Sequence, residues 1–495
     1  MKATLSVNVN DQISKIDPRL WGSFIEHVGR SVYEGIYQPD HETADENGFR
    51  KDVIDAVKKL NVPVIRYPGG NFVSGYNWQD GIGPKDQRPV RLDLAWRSIE
   101  TNQFGLHEFM DWCKKVNAAP DMAVNLGTRG IDEARNLVEY CNFPKGTYWS
   151  DLRRQNGAEE PFDIKLWSVG NEKDGDWQIG HQTAHEYGRL VHETAKVMRL
   201  VDDSVELVAC GSSNHQNETY GDWEETVLEH AYDDVDYLSL HQYYDNYEDN
   251  LAEFLGKSVD FDNFISEVVA ICDAVKARKH SDKQINLAFD EWNVWYHSVG
   301  ADDESEPWGQ APHLLEDHYD FEDALLLGSL AISLMRHADR VKIGCLAQLV
   351  NVIAPIMTNE DGVWYQTIFY PFMQVSNYGQ GVVLTPNQTV STYQAKDYQV
   401  PYIDSIAVYN PDTAEIVVFI VNKAQEQMDF KLNIDNAELG PVVAATQFAG
   451  YDIHQTNEDQ SMDLQMLEDV TVSGNQVSAT LEPLSWNMIR IKKEA

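Results

Sequence analysis

Between residues 21 and 349 one pattern recurs eight times: a short apolar run that ends in polar residues, then an amphipathic stretch. The runs are residues 21–27 (WGSFIEH), 62–68 (VPVIRYP), 120–126 (PDMAVNL), 164–172 (IKLWSVGNE), 205–211 (VELVACG), 235–243 (VDYLSLHQY), 285–292 (INLAFDEW) and 341–349 (VKIGCLAQL). Each is short enough for a strand and too continuously apolar for an open face, which is the signature of parallel strands covered on both sides. The stretches between them have helical period: in FRKDVIDAVKKLN, Phe49, Val53, Ile54 and Val57 share one face. Eight strands alternating with helices predict a parallel (β/α)8 barrel, the TIM-barrel fold. A doubly wound open sheet is the alternative; it lacks support because no Gly-rich dinucleotide fingerprint follows any strand.

From about Val382 the helical period stops. Segments such as SIAVYNPDTAEIVVFIVNK and VSATLEPLSWNMIRIKK alternate in strand fashion around turns, which predicts a C-terminal all-β sandwich. The opening segment alternates likewise, with Ala3, Leu5, Val7 and Val9 on one face, and is expected to add a strand to that sandwich. The expected organisation is therefore residues 1–17 as a strand joining the sandwich, 18–380 as the barrel and 381–495 as the sandwich.

Charge narrows the partners. The 79 acidic residues outnumber the 39 basic ones, giving a net charge of −40, so nucleic acid and anionic membranes are repelled and neutral ligands remain open. No run approaches the ~20 apolar residues of a spanning helix. The N-terminus has no apolar signal region, which predicts a cytoplasmic protein. Cys113, Cys141, Cys210, Cys272 and Cys345 are odd in number and set in apolar surroundings, as reduced core cysteines are.

In a barrel, chemistry is built where the C-terminal ends of the strands open into loops. Those ends carry Glu26, Arg66 with Asn71, Asn125, Asn171 with Glu172, His241 with Tyr243, Glu291 and Gln348. The Asn-Glu dipeptide alone means little: it recurs at Asn217-Glu218, Asn359-Glu360 and Asn457-Glu458 with no buried strand before it. Context singles out Glu172. Strands four and seven lie nearly opposite each other, so Glu172 and Glu291 reach one central pocket from two sides. Two facing carboxylates, one held protonated and one ionised, are what glycoside cleavage requires. Trp96, Trp292, Trp295 and Trp308 offer flat faces for a sugar, although any of them equally suits ordinary packing. His181 and His185 have the i, i+4 spacing of a chelating pair on a helix, but lack a third ligand. Asp302, Asp303 and Glu304 in the acidic stretch 297–320 fit a solvated loop better than a calcium site. No metal and no cofactor is expected.

The motifs WSVGNEKDGDWQIGH and FDEWNVWY, with GSFIEHVGRSVYEGIY, RYPGGNFVSGYNW, HQYY and AQLVNVIAPI in order, resemble family 51 of the glycoside hydrolases, the retaining α-L-arabinofuranosidases. The resemblance runs from about residue 18 to the end of the barrel. It implies that Glu172 is the general acid/base and Glu291 the nucleophile, and that Asn171 binds the sugar's 2-hydroxyl. It further implies that Glu26, Arg66, Asn71, Tyr243 and Gln348 hold the furanose ring or orient Glu291, with His241 in support. Trp96 and Trp295 would wall the pocket. The implied activity is exo-release of arabinose from arabino-oligosaccharides or arabinoxylan fragments by a cofactor-free homohexamer, a trimer of dimers, inside the cell. The chain departs from the family's apolar residue after the acid: position 173 is Lys, which either tunes the acid or points outward. Another retaining barrel glycosidase, such as a β-xylosidase or endoglucanase, and a non-catalytic carbohydrate-binding barrel remain as alternatives.

Overall fold

The computed structural model describes residues 1–299, 307–458 and 461–494. Eight parallel strands close into a barrel: β1 (Gly22–Phe24), β2 (Val64–Tyr67), β3 (Ala119–Ala123), β4 (Leu166–Val169), β5 (Glu206–Ala209), β6 (Tyr237–Tyr244), β7 (Asn286–Val294) and β8 (Val341–Leu346). β8 pairs with β1 through Cys345 and Gly22, so no edge is left open. The (β/α)8 expectation holds, and the open-sheet alternative falls.

Strands β6 and β7 are the longest of the eight, and the pairing shifts register between Ser239 and His241. A second irregularity interrupts the β7–β8 pairing between Phe289 and Trp292. Such irregularities re-aim side chains. Here the shift sets His241 directly beside Glu291.

Helix boundaries correct two readings. The first helix is Lys51–Leu60, so Phe49 precedes it and packs, buried, outside the helical face. The helix after β4 is Ala184–Val201, started by a capping box in which the Thr183 hydroxyl accepts from the Glu186 amide. His181 therefore lies in the preceding loop, and His185 instead meets His230 at 2.9 Å. The five cysteines are all free and buried.

The sandwich begins after the helix Phe369–Tyr378. It takes two strands from the N-terminus, not one. Lys2–Asn8 runs parallel to Met428–Asp435 in the five-stranded sheet, and Gln12–Lys15 pairs with Val382–Leu384 at the edge of the seven-stranded sheet. Ala3, Leu5, Val7 and Val9 are buried in the sandwich core as their alternation requires. The sandwich docks on the barrel helix Phe321–Arg336, where Trp486 lies over Gly328: a Cβ there would stand 2.6 Å from the indole. A buried Lys423–Asp404 ion pair (2.7 Å), joined by Arg336 of that helix (3.2 Å), crosses the same junction. No helix among the described residues is long and apolar enough to cross a membrane.

Candidate active site

The strand ends converge on a cavity of about 420 Å³ lined by Glu26, Asn71, Trp96, Glu172, Tyr243, Glu291, Trp295 and Gln348, together with Gly70, Trp177, Ser213, Asn214, Leu315 and Ile353. Of the residues to which the family resemblance assigns a role, all but Arg66, Asn171 and His241 line the cavity, and those three are joined to it by hydrogen bonds: Arg66 to Glu291, Asn171 to Arg66 and His241 to Glu172.

Arg66, at the end of β2, organises the floor. Its guanidinium donates to Glu291 Oε1 at 2.6 Å and to Asn171 Oδ1 at 2.6 Å, and stands 3.5 Å from Asp290. Phe24 of β1 lies under it, with the ring 4.8 Å away. Tyr243 donates its hydroxyl to the other Glu291 oxygen at 2.8 Å. Glu291 is thereby fixed at both oxygens, against a permanent cation on one side. Asn171 is fixed as well, because its amide donates to Gln178 Oε1 at 3.2 Å.

Glu172 follows β4 with a left-handed backbone (φ 39°), which turns its carboxylate back over the barrel mouth. One oxygen takes the His241 Nδ1 contact at 2.9 Å and the other accepts from the Trp177 indole at 2.7 Å. Burial pushes the Glu172 carboxyl above its ordinary range, reinforced by the Glu291 charge and opposed by bonds from His241 and Trp177. His241 also stands 3.3 Å from Asp290 and 3.6 Å from Glu291. Burial alone would lower its affinity for a proton; Glu291, Asp290 and Glu172 outweigh that and lift it to about 10, so the ring is an imidazolium. Asp290 is held below the usual carboxylate range: burial opposes this, and Arg66 and His241 overcome it.

Glu26 forms the far wall. It accepts from the Phe72 amide (2.8 Å), the Trp96 indole (2.9 Å) and the Gln348 amide (3.2 Å), while its own N–H donates to Gln348 Oε1. Burial lifts its carboxyl to about 8 against those donors. The RYPGGN loop passes so close that a Cβ on Gly70 would sit 2.5 Å from Glu26 Oε2. A bare backbone is required there.

Two tryptophans expected at the pocket are elsewhere. Trp292 is fully buried beside Phe261 and Phe372, and Trp308 is 40% exposed and not among the lining residues. The stretch 297–320 instead contributes Leu315 to the cavity. Its Asp302, Asp303 and Glu304 lie outside the described residues. Lys173 does not point outward: it is fully buried, and Nζ donates to the carbonyls of Leu126 (3.1 Å) and Gly180. Trp177, Gln178 and Asp290 were not anticipated, although all three sit within seven residues of the two glutamates in sequence.

The ligand atoms of Glu172, His241 and Glu291 lie within 4.8 Å of one another, near enough for a cation. A charged imidazolium in the trio and the Arg66 guanidinium against Glu291 oppose one. The same closeness suits two carboxylates acting on a single carbon from opposite sides, because retaining enzymes hold theirs about 5–5.5 Å apart. Barrel and site together define a glycoside hydrolase.

Comparison with known proteins makes this specific. Residues 56–252 match the alpha-L-arabinofuranosidase 1 domain and residues 290–485 the alpha-L-arabinofuranosidase C-terminal domain. The chain is 56% identical over 498 residues to an intracellular exo-alpha-(1->5)-L-arabinofuranosidase 1 of Bacillus subtilis, covering all of both chains. It is 55% identical, again over both full lengths, to an intracellular exo-alpha-(1->5)-L-arabinofuranosidase of Halalkalibacterium halodurans. A solved family 51 alpha-L-arabinofuranosidase from Bifidobacterium longum superposes with a TM-score of 0.94 at 42% identity, covering 99% of each chain. The chain belongs to the family 51 α-L-arabinofuranosidases.

Proposed function

We propose that this protein is a retaining, exo-acting α-L-arabinofuranosidase that releases terminal arabinofuranose from arabino-oligosaccharides and arabinoxylan fragments. The observation that carries this reading is the asymmetry of the two glutamates: Glu291 is tied to Arg66 and Tyr243, while Glu172 is pushed toward its protonated form by burial. In the first half-reaction the Glu291 carboxylate attacks the anomeric carbon and the Glu172 carboxyl delivers its proton to the departing oxygen. In the second, ionised Glu172 takes a proton from water, the water oxygen attacks the same carbon, and Glu291 is released. Each attack inverts the centre, so the product retains configuration.

The remaining residues act on the sugar or on these two. Asn171, locked by Arg66 and Gln178, presents its amide to the 2-hydroxyl. Glu26, Asn71 and Gln348 close the far end around the ring, and Trp96 and Trp295 wall it. A pocket closed in this way admits a chain end and not a chain middle, which supports exo action. The names of the two bacterial relatives favour α-1,5-linked substrates and an intracellular location. The hexamer, a trimer of dimers, implied by the family resemblance draws support from Val90, Leu92 and Leu94, all more than half exposed on the segment before Trp96; light scattering tests it.

The decisive experiment is hydrolysis of 4-nitrophenyl α-L-arabinofuranoside followed by proton NMR, beside a panel of pyranosides. The α-anomer of arabinose should appear first, pyranosides should be nearly inert, and Glu291→Ala should abolish turnover. An initial β-anomer, or preferred xylopyranoside hydrolysis, would replace this reading with an inverting or pyranose-specific one.

A further inference from the structure

Away from the catalytic pocket, where the barrel meets the sandwich, the described residues gather four buried carboxylates, Asp317, Asp320, Glu322 and Asp323. Among the described residues no lysine or arginine forms an ion pair with any of them; their ion pairs are His297–Asp323 (2.8 Å) and His454–Asp320 (3.2 Å). Asp317 is satisfied by the amides of Tyr296, His297 and Ser298. Asp320 is satisfied at both oxygens too, by the Glu322 and Asp323 amides on Oδ1 and by His454 on Oδ2, but Glu322 and Asp323 are not. Asp320 caps the helix Phe321–Arg336 through one oxygen. Glu322 accepts from Asn246 through Oε1, but Oε2 has no partner among the described residues; Asp323 meets His297 through Oδ2, but Oδ1 has none among them. Both residues are 0% exposed. A buried carboxylate oxygen without a donor is costly, and two in one cluster call for a compensating charge.

The spacing indicates what that charge is. Ligand atoms of His297, Asp320 and Asp323 lie within 4.8 Å of one another, and so do those of Asp320, Glu322 and His454, with Asp320 common to both sets. An ion bonded at about 2.0–2.2 Å holds its ligands up to about 4.3 Å apart, so small side-chain rotations close either set. Two imidazoles with carboxylates are the donors of zinc and manganese, whereas calcium takes oxygen alone. We propose that His297, Asp320, Asp323 and His454, with Glu322 beside them, bind one divalent cation of the zinc or manganese type. The ion's position gives it a structural role. His297 and Asp320 stand at the two ends of the stretch 297–320, which brings Leu315 to the catalytic pocket, and His454 comes from the sandwich. One ion therefore fastens both ends of that stretch and the domain junction, restricting chain freedom as any clip across a long loop does.

The competing way to neutralise the cluster is by protons, and burial together with the Asp323 charge does lift Asp320 to about 8. The test separates the two. Because His185 and His230 meet at the surface and can take zinc adventitiously, the full-length His185→Gln protein is stripped with EDTA and titrated with Zn2+, Mn2+ and Ca2+. Bound metal is counted by mass spectrometry and stability followed by scanning fluorimetry. The expected result is one Zn2+ or Mn2+ per chain, with Tm raised by about 3 °C at saturation. Added Asp323→Asn or His454→Gln should cost at least tenfold in affinity while the metal-free Tm changes little or rises. Less than one-tenth of an ion per chain, binding undiminished in both variants, or an equal response to Ca2+ would each overturn the assignment. In the first case protons balance the cluster.

Discussion

Replacing Trp177 by Phe should move the alkaline limb of activity in a direction fixed by one hydrogen bond. The indole N–H donates to Glu172 Oε2 at 2.7 Å and stabilises the ionised carboxylate. Hydrogen bonds to charged groups contribute about 1.5–3 kcal/mol when buried. Trp177 is 52% exposed, so water replaces part of that, and about 1 kcal/mol is the appropriate figure. Divided by 1.36 kcal/mol per unit, this is a rise of roughly 0.7 in the Glu172 pKa. With Glu172 as the proposed general acid, kcat/KM in the free enzyme needs it protonated, so the loss at high pH reports this group. The descending limb should therefore shift upward by about 0.5–1 pH unit, and Phe preserves an aromatic face at the mouth, so KM should change less than the limb. The assay is kcat/KM against pH with an unactivated arabino-oligosaccharide, whose departure needs the proton. A limb that stays in place, or moves down, would show that Trp177 does not act on Glu172.

Glu172→Ala should keep much of its first step on dinitrophenyl arabinofuranoside, stall as the glycosyl-enzyme, and be rescued by azide to an arabinosyl azide of retained configuration. Glu291→Ala should lose on the order of 10⁴-fold or more, any azide product being inverted; the reverse pattern by NMR would exchange the two roles. Gly70→Ala places a Cβ 2.5 Å from Glu26 Oε2 and should lower kcat/KM by about 10²-fold with little change in Tm, read by kinetics beside calorimetry. Lys423→Met leaves buried Asp404 with Arg336 and the Ser258 hydroxyl but without its nearer cation, and should destabilise by about 3–5 kcal/mol in denaturant titration. Asp404 is held down at about 2, although burial opposes this, by Lys423 and Arg336. Its contribution is complete above the ordinary aspartate value near 4 and fades as pH falls toward 2, so the variant's deficit should shrink over that acid range.

How far the sequence reaches depends on whether a feature is periodic. Eight apolar runs alternating with helices fix a barrel, and the strand ends bring Glu26, Arg66, Asn171, Glu172, His241, Tyr243, Glu291 and Gln348 together because each ends a covered strand. Period two also contained the answer for Trp292: next to Glu291 on β7 it must face the opposite side, away from the pocket, and it does. The Thr183–Glu186 capping box likewise marks a helix start at Ala184 that excludes His181. What the pattern does not carry is aperiodic. The register shift that sets His241 beside Glu291 is a property of two strands pairing, visible in neither alone. Trp177 sits in a polar turn and reaches Glu172 because Gly175 has no Cβ to meet the indole, 2.4 Å from where one would stand. The short strand Gln12–Lys15 is exposed at its ends and has no apolar stripe to announce it.

Lys173 shows the limit most clearly. A lysine beside the proposed catalytic acid reads equally well as a solvated cation or as an electrostatic tuner, and it is neither of those in simple form. Its ammonium is buried against two backbone carbonyls, Leu126 after β3 and Gly180 at the far end of the loop that carries Trp177, and burial lowers its affinity for a proton. Carbonyls belong to every residue, so no side-chain pattern points to them. The same loop is closed again by the Gln182 amide donating to the Lys173 carbonyl at 3.1 Å. Lys173 thus ties both ends of the loop that aims Glu172 and Trp177 to the neighbouring strand end, a tie that depends on where the backbone comes to rest and is legible only once the barrel is closed.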